Sequence, residues 1–378
     1  METLPRAGFE RARSLFRDLS EFQPACTAVL AGAYPGRVFV DDVRQPATGL
    51  LVTSLSANDL WCFLAGDPAN ARFNRAVNQF LRAGEGAGET VETVFITCQP
   101  EEWAGNLAEL CVPLVPAPVQ RHHYVCRQAH HLWRDRLPDR FALQRMDPSL
   151  LDESGLHLPA EVRHTLERWR AKGGDLQDFG FMVRHNDQVV AWATIDFVAE
   201  GAGDAGLFTL AAYRRRGLAT MAAAAAIEYG LARCGLSAIH WTCGARNTGS
   251  IRIAERLGCR HERDYVMYVL ALDAGQNLAY RAYDLLEAGD HRRAAELYAD
   301  CFALRDDLPA WAYFDAARAW AALDELGLAL EALRKAVRQG WMDVGAAESA
   351  AEFEPLRGTW EWGAILARMA GASDRLNE

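Results

Sequence analysis

One segment constrains this chain more than any other, residues 204–247. An apolar stretch at 206–210 reads as a strand. It passes through Ala211-Ala212-Tyr213 into Arg214-Arg215-Arg216-Gly217-Leu218-Ala219-Thr220, and a long Ala-rich helix is expected over 218–233. A turn that opens a helix leaves its first backbone N–H groups unpaired at the positive end of the helix dipole. The N–H groups of 215–220 therefore form an anion site suited to a diphosphate. Gly217 and Ala219 keep side-chain bulk away, and Arg214, Arg215 and Arg216 add positive charge. The Arg214–Thr220 turn itself reads as neither G-x-x-x-x-G-K-[ST] nor G-x-G-x-x-G, so it is neither of the two commonest nucleotide loops.

Composition narrows the classes further. The 378 residues point to two or three domains, at roughly 100–200 residues each. Half the residues are hydrophobic and 24 % are charged, which excludes wholesale disorder and fibrous folds. A net charge of −10 argues against nucleic acid as a partner, since that affinity comes from neutralising phosphates. No apolar run approaches the roughly 18 residues that span a bilayer, so no membrane partner is expected. The N-terminus is charged from its second residue and shows no signal-peptide core. The nine cysteines are scattered without a C-x-x-C, and a reducing cytoplasm is the expected location.

Three regions follow along the chain, an α/β domain at 1–140, a second α/β domain at 141–272 and a helical domain at 275–378. In the first, strands are expected at 37–42, 49–54, 61–64 and 93–97, a helix at 70–81 and a loop at 84–89. In the second, a helix over 159–170 stops at Gly173-Gly174. Strands 179–184 and 188–198 meet at a polar turn, His185-Asn186-Asp187. Strands at 238–242 and 265–270 and a helix at 248–257 complete a mixed sheet with helices packed on it. The third region carries an internal echo. Ala294 and Cys301 precede Ala329 and Ala336 by 35 residues, and Leu297-Tyr298 match Ala332-Leu333. Gly289-Asp290 turns the first unit and Asp324-Glu325 the second. Such a period is the signature of tetratricopeptide repeats.

The run Arg214-Arg-Arg-Gly217-Leu-Ala219 resembles motif A of the GNAT superfamily of acyl-CoA-dependent N-acyltransferases, [QR]-x-x-G-x-[GA]. Asn247 and Leu257-Gly258 follow at the spacing of that superfamily's motif B. The flanks, including 34–42, 64–67, Phe73-Asn74 and 179–185, resemble a bacterial branch with an additional N-terminal α/β half. The fold so implied is α/β: a mixed-sheet GNAT domain, a degenerate GNAT-like half before it and an all-α repeat domain after it. The degenerate half lacks a second [QR]-x-x-G-x-[GA] run.

The resemblance implies transfer of an acetyl group from acetyl-CoA to an amine by direct attack, with no metal. It assigns the diphosphate to Arg214–Thr220 and the pantetheine to strand 207–210 and Asn247. It also implies a gap between strands 206–210 and 238–242, with a backbone N–H at Thr209 or Leu210 polarising the thioester. The usual motif-B tyrosine is replaced by Ala254, so Tyr265 or Tyr268 is the candidate acid. The nearest carboxylate for a base is Asp204, with Glu200 behind it. The helical repeats would recruit a protein partner. The alternative reading is an acyl-CoA sensor without turnover.

Other candidates carry less. In Arg121–His131, a helix would align His122, Cys126 and His130 as metal ligands, whereas a strand would scatter them. Cys243 is better read as a buried core residue than as a nucleophile. His240 could line the acceptor cavity.

Overall fold

The computed structural model describes residues 1–56, 58–83, 91–128, 137–173 and 177–374, and the loop expected at 84–89 lies outside them. The chain forms two compact units, 1–112 with 119–267, and 113–118 with 268–378.

The strands are β1 (Glu2–Leu4), β2 (Arg37–Val40), β3 (Thr48–Thr53), β4 (Asp59–Gly66), β5 (Thr93–Gln99), β6 (Ala117–Cys126), β7 (Phe141–Arg145), β8 (Phe179–His185), β9 (Gln188–Ala199), β10 (Ala202–Thr209), β11 (Ala238–Gly244) and β12 (Arg260–Ala271). The helices of the first unit are α1 (Arg17–Ser20), α2 (Pro24–Leu30), α3 (Ala71–Ala83), α4 (Leu107–Leu110), α5 (Ala160–Lys172), α6 (Leu218–Ala232) and α7 (Thr248–Arg256). The strands join one mixed sheet in the order β1-β2-β3-β4-β5-β12-β6-β11-β10-β9-β8-β7.

That order contains a repeat. Strands β2, β3 and β4 pair antiparallel, and β5 lies parallel to β4 after a crossover through α3. Strands β8, β9 and β10 do the same, and β11 lies parallel to β10 after a crossover through α6. A parallel pair requires such a crossover, because no short turn can return the chain to the same end. The strands that close the halves are exchanged. β6 leaves the first half to pair with β11, and β12 leaves the second to lie beside β5.

The two halves differ where it matters. β4 and β5 stay paired from Asp59↔Thr93 to Ala65↔Gln99. β10 and β11 pair only from Ala202↔Ala238 to Ala205↔Trp241 and then part. Beyond that point β10 remains bonded to β9 as far as Thr209, and β11 to β6 as far as Gly244. A wedge therefore opens in the second half alone. The expected strand at 206–210 thus begins earlier, at Ala202, with a register shift between Ala202 and Asp204. A bulge of this kind re-aims the side chains that follow it.

Helix α6 packs on β8, β9, β10 and β11. Its residues from Leu218 to Ile227 are buried, which explains an alanine run with almost no polar face. Gly230 lets the helix approach closely, since a Cβ there would stand 2.9 Å from Ile239 Cδ1 and 3.0 Å from Phe179 Cζ. On the other face, Val162, Leu166 and Trp169 of α5 pack with Met182, Val189 and Trp192.

The second unit is helical, with α8 (Ala274–Glu287), α9 (His291–Leu304), α10 (Ala310–Ala321), α11 (Leu326–Arg338), α12 (Val344–Ser349) and α13 (Trp360–Asp374). Helix α8 pairs with α9, and α10 with α11. The echo in the sequence is an echo in the backbone. Ala294, Cys301, Ala329 and Ala336 are all fully buried. The turn positions Gly289 and Asp324, 35 residues apart, both take left-handed backbone, with φ 82° and 63°. Aspartate there bears the strain that glycine avoids, about 1–2 kcal/mol. Asp324→Gly should therefore raise the melting temperature of this unit by a few degrees, and Gly289→Ala should lower it; calorimetry on both variants checks the pair. The tryptophans Trp311, Trp320, Trp341 and Trp362 pack on this core, whereas Trp360 is 78 % exposed.

Candidate functional site

The wedge opens into a groove of about 790 Å³. One wall is β10 with Leu207, Phe208 and Thr209. The floor is the turn and first residues of α6, with Arg214, Arg215, Gly217, Leu218, Ala219 and Thr220. The far wall is α7, with Asn247, Gly249, Ser250, Arg252, Ile253 and Arg256. The groove therefore holds nine of the eleven residues expected at the cofactor site.

Leu210 and Arg216 do not line it. The Leu210 N–H donates to Val190 C=O at 2.9 Å, which removes it as a donor to the thioester. The same alternation decides for Thr209. In an antiparallel pair every second residue turns its backbone groups to its partner. Leu210 bonds β9, so Thr209 and Leu207 turn theirs toward the gap. Arg216 turns back instead, with its guanidinium 5.4 Å from the Tyr213 ring centroid and a bond to Ala212 C=O at 3.4 Å.

The turn is built to present backbone donors. Arg215 and Gly217 both take left-handed backbone, with φ 63° and 76°. Backbone strain at a non-glycine residue is concentrated at functional sites. For Gly217 the requirement is conformational, because an added Cβ would meet only Met221 Cε at 3.9 Å. The first helical bond runs from Met221 N–H to Gly217 C=O, which leaves the N–H groups before Met221 at the open end of α6. Gly217 caps this helix with no side chain. In the first half the matching end of α3 is closed by its own residue, since Asn70 Oδ1 accepts from Phe73 N–H at 3.1 Å. Asn247 plays that capping part for α7, accepting from Ser250 N–H at 3.0 Å, while lining the groove.

Among the described residues lining the groove are four arginines (Arg214, Arg215, Arg252 and Arg256) and no carboxylate. In a chain of net charge −10 this is a local reversal of sign. Arg252 and Arg256 were missed in the sequence reading. Their i, i+4 spacing puts them on one face of α7, but nothing local distinguishes that face from a solvated one.

On the opposite face of the sheet lies a polar cluster. Asp204 lies inside β10, in register with Asp196 of β9 and His240 of β11. Its Oδ1 is buried and has no hydrogen-bond partner among the described residues. Burial pushes its carboxyl up to about 7, with Arg121 opposing the shift and Asp196 adding to it. Asp196 is itself held by Arg168 and by the Thr194 hydroxyl, each at 2.6 Å. Arg121 of β6 donates to the Tyr265 hydroxyl at 3.1 Å and to Thr242 Oγ1 at 3.0 Å. Beside it, the rings of His123 and His240 stack and share a hydrogen bond of 2.9 Å. Burial lowers both, to about 3 and about 4, so both are neutral at physiological pH.

Tyr265 thus joins the cluster. Tyr268, three residues on along β12, falls on the opposite face by strand alternation and belongs to the second compact unit. Cys243 is buried in the apolar core under α6, and Ala254 packs there as well. The segment holding His122 and Cys126 is strand, not helix. That spacing separates the two residues by about 13 Å. His130 and His131 lie outside the described residues.

A model of the GNAT acetyltransferase family matches residues 14–268. The chain belongs to this family. Among curated relatives, the uncharacterized N-acetyltransferase YdfB of Bacillus subtilis strain 168 is 23 % identical, over 71 % of this chain and 98 % of its own length. Among solved structures, a GCN5-related N-acetyltransferase-like protein from Streptococcus suis 89/1591 superposes with a TM-score of 0.51 at 22 % identity. That match covers 69 % of this chain and 98 % of the other. The likeness establishes the GNAT fold, and family membership supports an acyltransferase acting on an amine. Both of these proteins are covered over 98 % of their own length, and the family match ends at residue 268, before α8.

Proposed function

We propose that this chain transfers an acetyl group from acetyl-CoA to an amine, with the groove between β10 and α7 as the coenzyme site. The observation that carries the reading is the coincidence of three features in one half only: the parted strands, the helix end left open by Gly217 and the four arginines. A diphosphate fits the N–H groups of 215–220 with Arg214 and Arg215. The pantetheine arm fits along Leu207 and Thr209, whose backbone groups face the gap. When bound, acetyl-CoA supplies an activated acyl carbon with a thiolate as leaving group.

The chain contributes position and proton movement. Thr209 N–H would polarise the acyl carbonyl. Asp204 would take a proton from the incoming ammonium, and its raised carboxyl pKa suits that exchange near neutral pH. Tyr265, held by Arg121, would return a proton to the departing sulfur. The buried thiols, which include Cys26, Cys62 and Cys126, fit a reducing cytoplasm. We read the paired helices of the second unit as tetratricopeptide-like repeats that recruit a protein partner or the acceptor. Their 35-residue echo with matching left-handed turns supports this.

Arg252 and Arg256, which line the groove, would hold the ribose phosphate of CoA. A thermal-shift titration with acetyl-CoA, and with dephospho-CoA as control, tests the groove. A ligand of the folded state stabilises by about 2.7 kcal/mol at a hundred times Kd. Saturable stabilisation by acetyl-CoA is expected. The double change Arg252→Ala with Arg256→Ala should weaken acetyl-CoA by roughly tenfold or more, two charge-assisted bonds at about 1.5–3 kcal/mol each setting the ceiling. It should leave dephospho-CoA nearly unchanged. No stabilisation of the parent protein would overturn the coenzyme site. Binding without thiol release across an amine panel would favour the sensor reading.

A further inference from the structure

A second cluster lies outside the groove, where the two halves exchange strands. His122 of β6 and His261 and Asp264 of β12 bring their ligand atoms within 4.8 Å of one another. His122 Nδ1 lies 2.5 Å and His261 Nε2 2.7 Å from the same oxygen, Asp264 Oδ1. Two imidazoles on one carboxylate oxygen is an unusual choice of partners at this place. Four arginines lie close in the sequence (Arg121, Arg127, Arg260 and Arg263), and three of them are committed elsewhere. Arg121 bonds Tyr265 and Thr242, Arg127 bonds Glu262, and Arg263 bonds Glu21. The carboxylate thus keeps nitrogen donors that can be neutral.

The rings are also fixed in place. His122 and His261 meet edge to face at 5.2 Å, and the Tyr124 ring stands edge-on to both, at 6.2 and 5.2 Å. His122 is the most sheltered of the three, its side chain 25 % exposed, while Asp264 is 63 % exposed. Solvent can therefore fill the remaining coordination positions.

We infer that His122, His261 and Asp264 form a binding site for a divalent transition-metal ion of the zinc class. Two imidazole nitrogens and a carboxylate oxygen suit Zn²⁺ with water in the fourth position. Each imidazole would turn a lone pair to the ion and carry its proton on the other ring nitrogen. The ion would replace the two hydrogen bonds now made to Asp264 and pin β6 to β12. It would thereby clamp the exchanged strands, one residue from Arg121.

The test uses the full chain without an affinity tag, stripped with EDTA and dialysed. Zn²⁺ alone is titrated by calorimetry and by thermal shift, and Co²⁺ serves as a spectroscopic probe. One saturable site per chain is expected, with a rise in melting temperature. The cobalt complex should show d–d bands without the near-ultraviolet thiolate-to-cobalt band, which separates this site from the cysteines. His261→Ala and Asp264→Asn should each weaken binding by more than the roughly 10–100-fold that loss of an outer-shell partner causes. Both positions are exposed, so unchanged melting without metal confirms folding. No saturable uptake of Zn²⁺, a thiolate band with Co²⁺, or unchanged affinity in both variants would overturn the site.

Discussion

Gly217→Glu is expected to weaken binding of acetyl-CoA by roughly a hundredfold while leaving the fold intact. The position has φ 76°, where a side chain costs about 1–2 kcal/mol. Space is not the obstacle, since the nearest atom to an added Cβ is 3.9 Å away. What changes is the helix end. A glutamate at this N-cap would offer its own carboxylate to the N–H groups that now stand open at α6. Negative charge is favoured there by the helix dipole, which would partly offset the backbone strain. The same carboxylate would exclude the diphosphate by occupying its donors and repelling its charge. A loss of about 3 kcal/mol, roughly a hundredfold in Kd, follows from two or so charge-assisted hydrogen bonds forfeited. Gly217→Ala bears the strain without the charge and should lose far less affinity. Isothermal titration on the two variants separates conformation from electrostatics. Equal losses in both would mean that the left-handed turn, and not its open donors, carries the binding.

Much of this site was legible because its chemistry is local. The strand, the Arg214–Thr220 turn and the helix are consecutive, so a single window of sequence holds the proposed diphosphate site. Its limits are equally physical. Leu210 looked equivalent to Thr209, and only the pairing with β9 shows which of the two turns its N–H to the gap. Asp204 looked like the residue at the start of a strand, because Ala202 and Gly203 carry little strand propensity. The flanking strands β9 and β11 extend β10 past it and enclose its Oδ1. The meeting of Arg121 with Tyr265 joins residues far apart in sequence, and no periodicity encodes it. The exchange of β6 and β12 was hidden for the same reason. Alternation of apolar residues tells which face a side chain takes, not which strand lies beside it. The echo of the helical region was visible, since its small buried residues recur at a fixed interval.

Asp204→Asn should separate catalysis from folding more sharply than any other change. As a general base, Asp204 is expected to contribute roughly 10²–10⁴-fold to kcat, and the variant should lose that factor. The pH dependence carries the sign. A base works deprotonated, and its carboxyl titrates at about 7 with Asp196, Arg121 and His240 around it. The rate for the parent protein should therefore rise with pH through about 7, and the variant should lose that inflection. Stability runs the other way. The folded pKa is raised above the unfolded value, so the native state holds the proton more tightly. Stability from this group is present below about pH 4 and is lost as pH rises through about 7. Asparagine has no charge to bury, so the variant should melt at an equal or higher temperature at pH 8 and convert acceptor far more slowly. A buried acid kept only for packing would show neither the lost inflection nor the lost rate. His240 and His123 refine the point. Both stay neutral over the same range, so Gln at either position should leave the inflection near pH 7 in place. An unchanged profile in Asp204→Asn would transfer the role of base to another group and leave Asp204 as a strained element of the sheet.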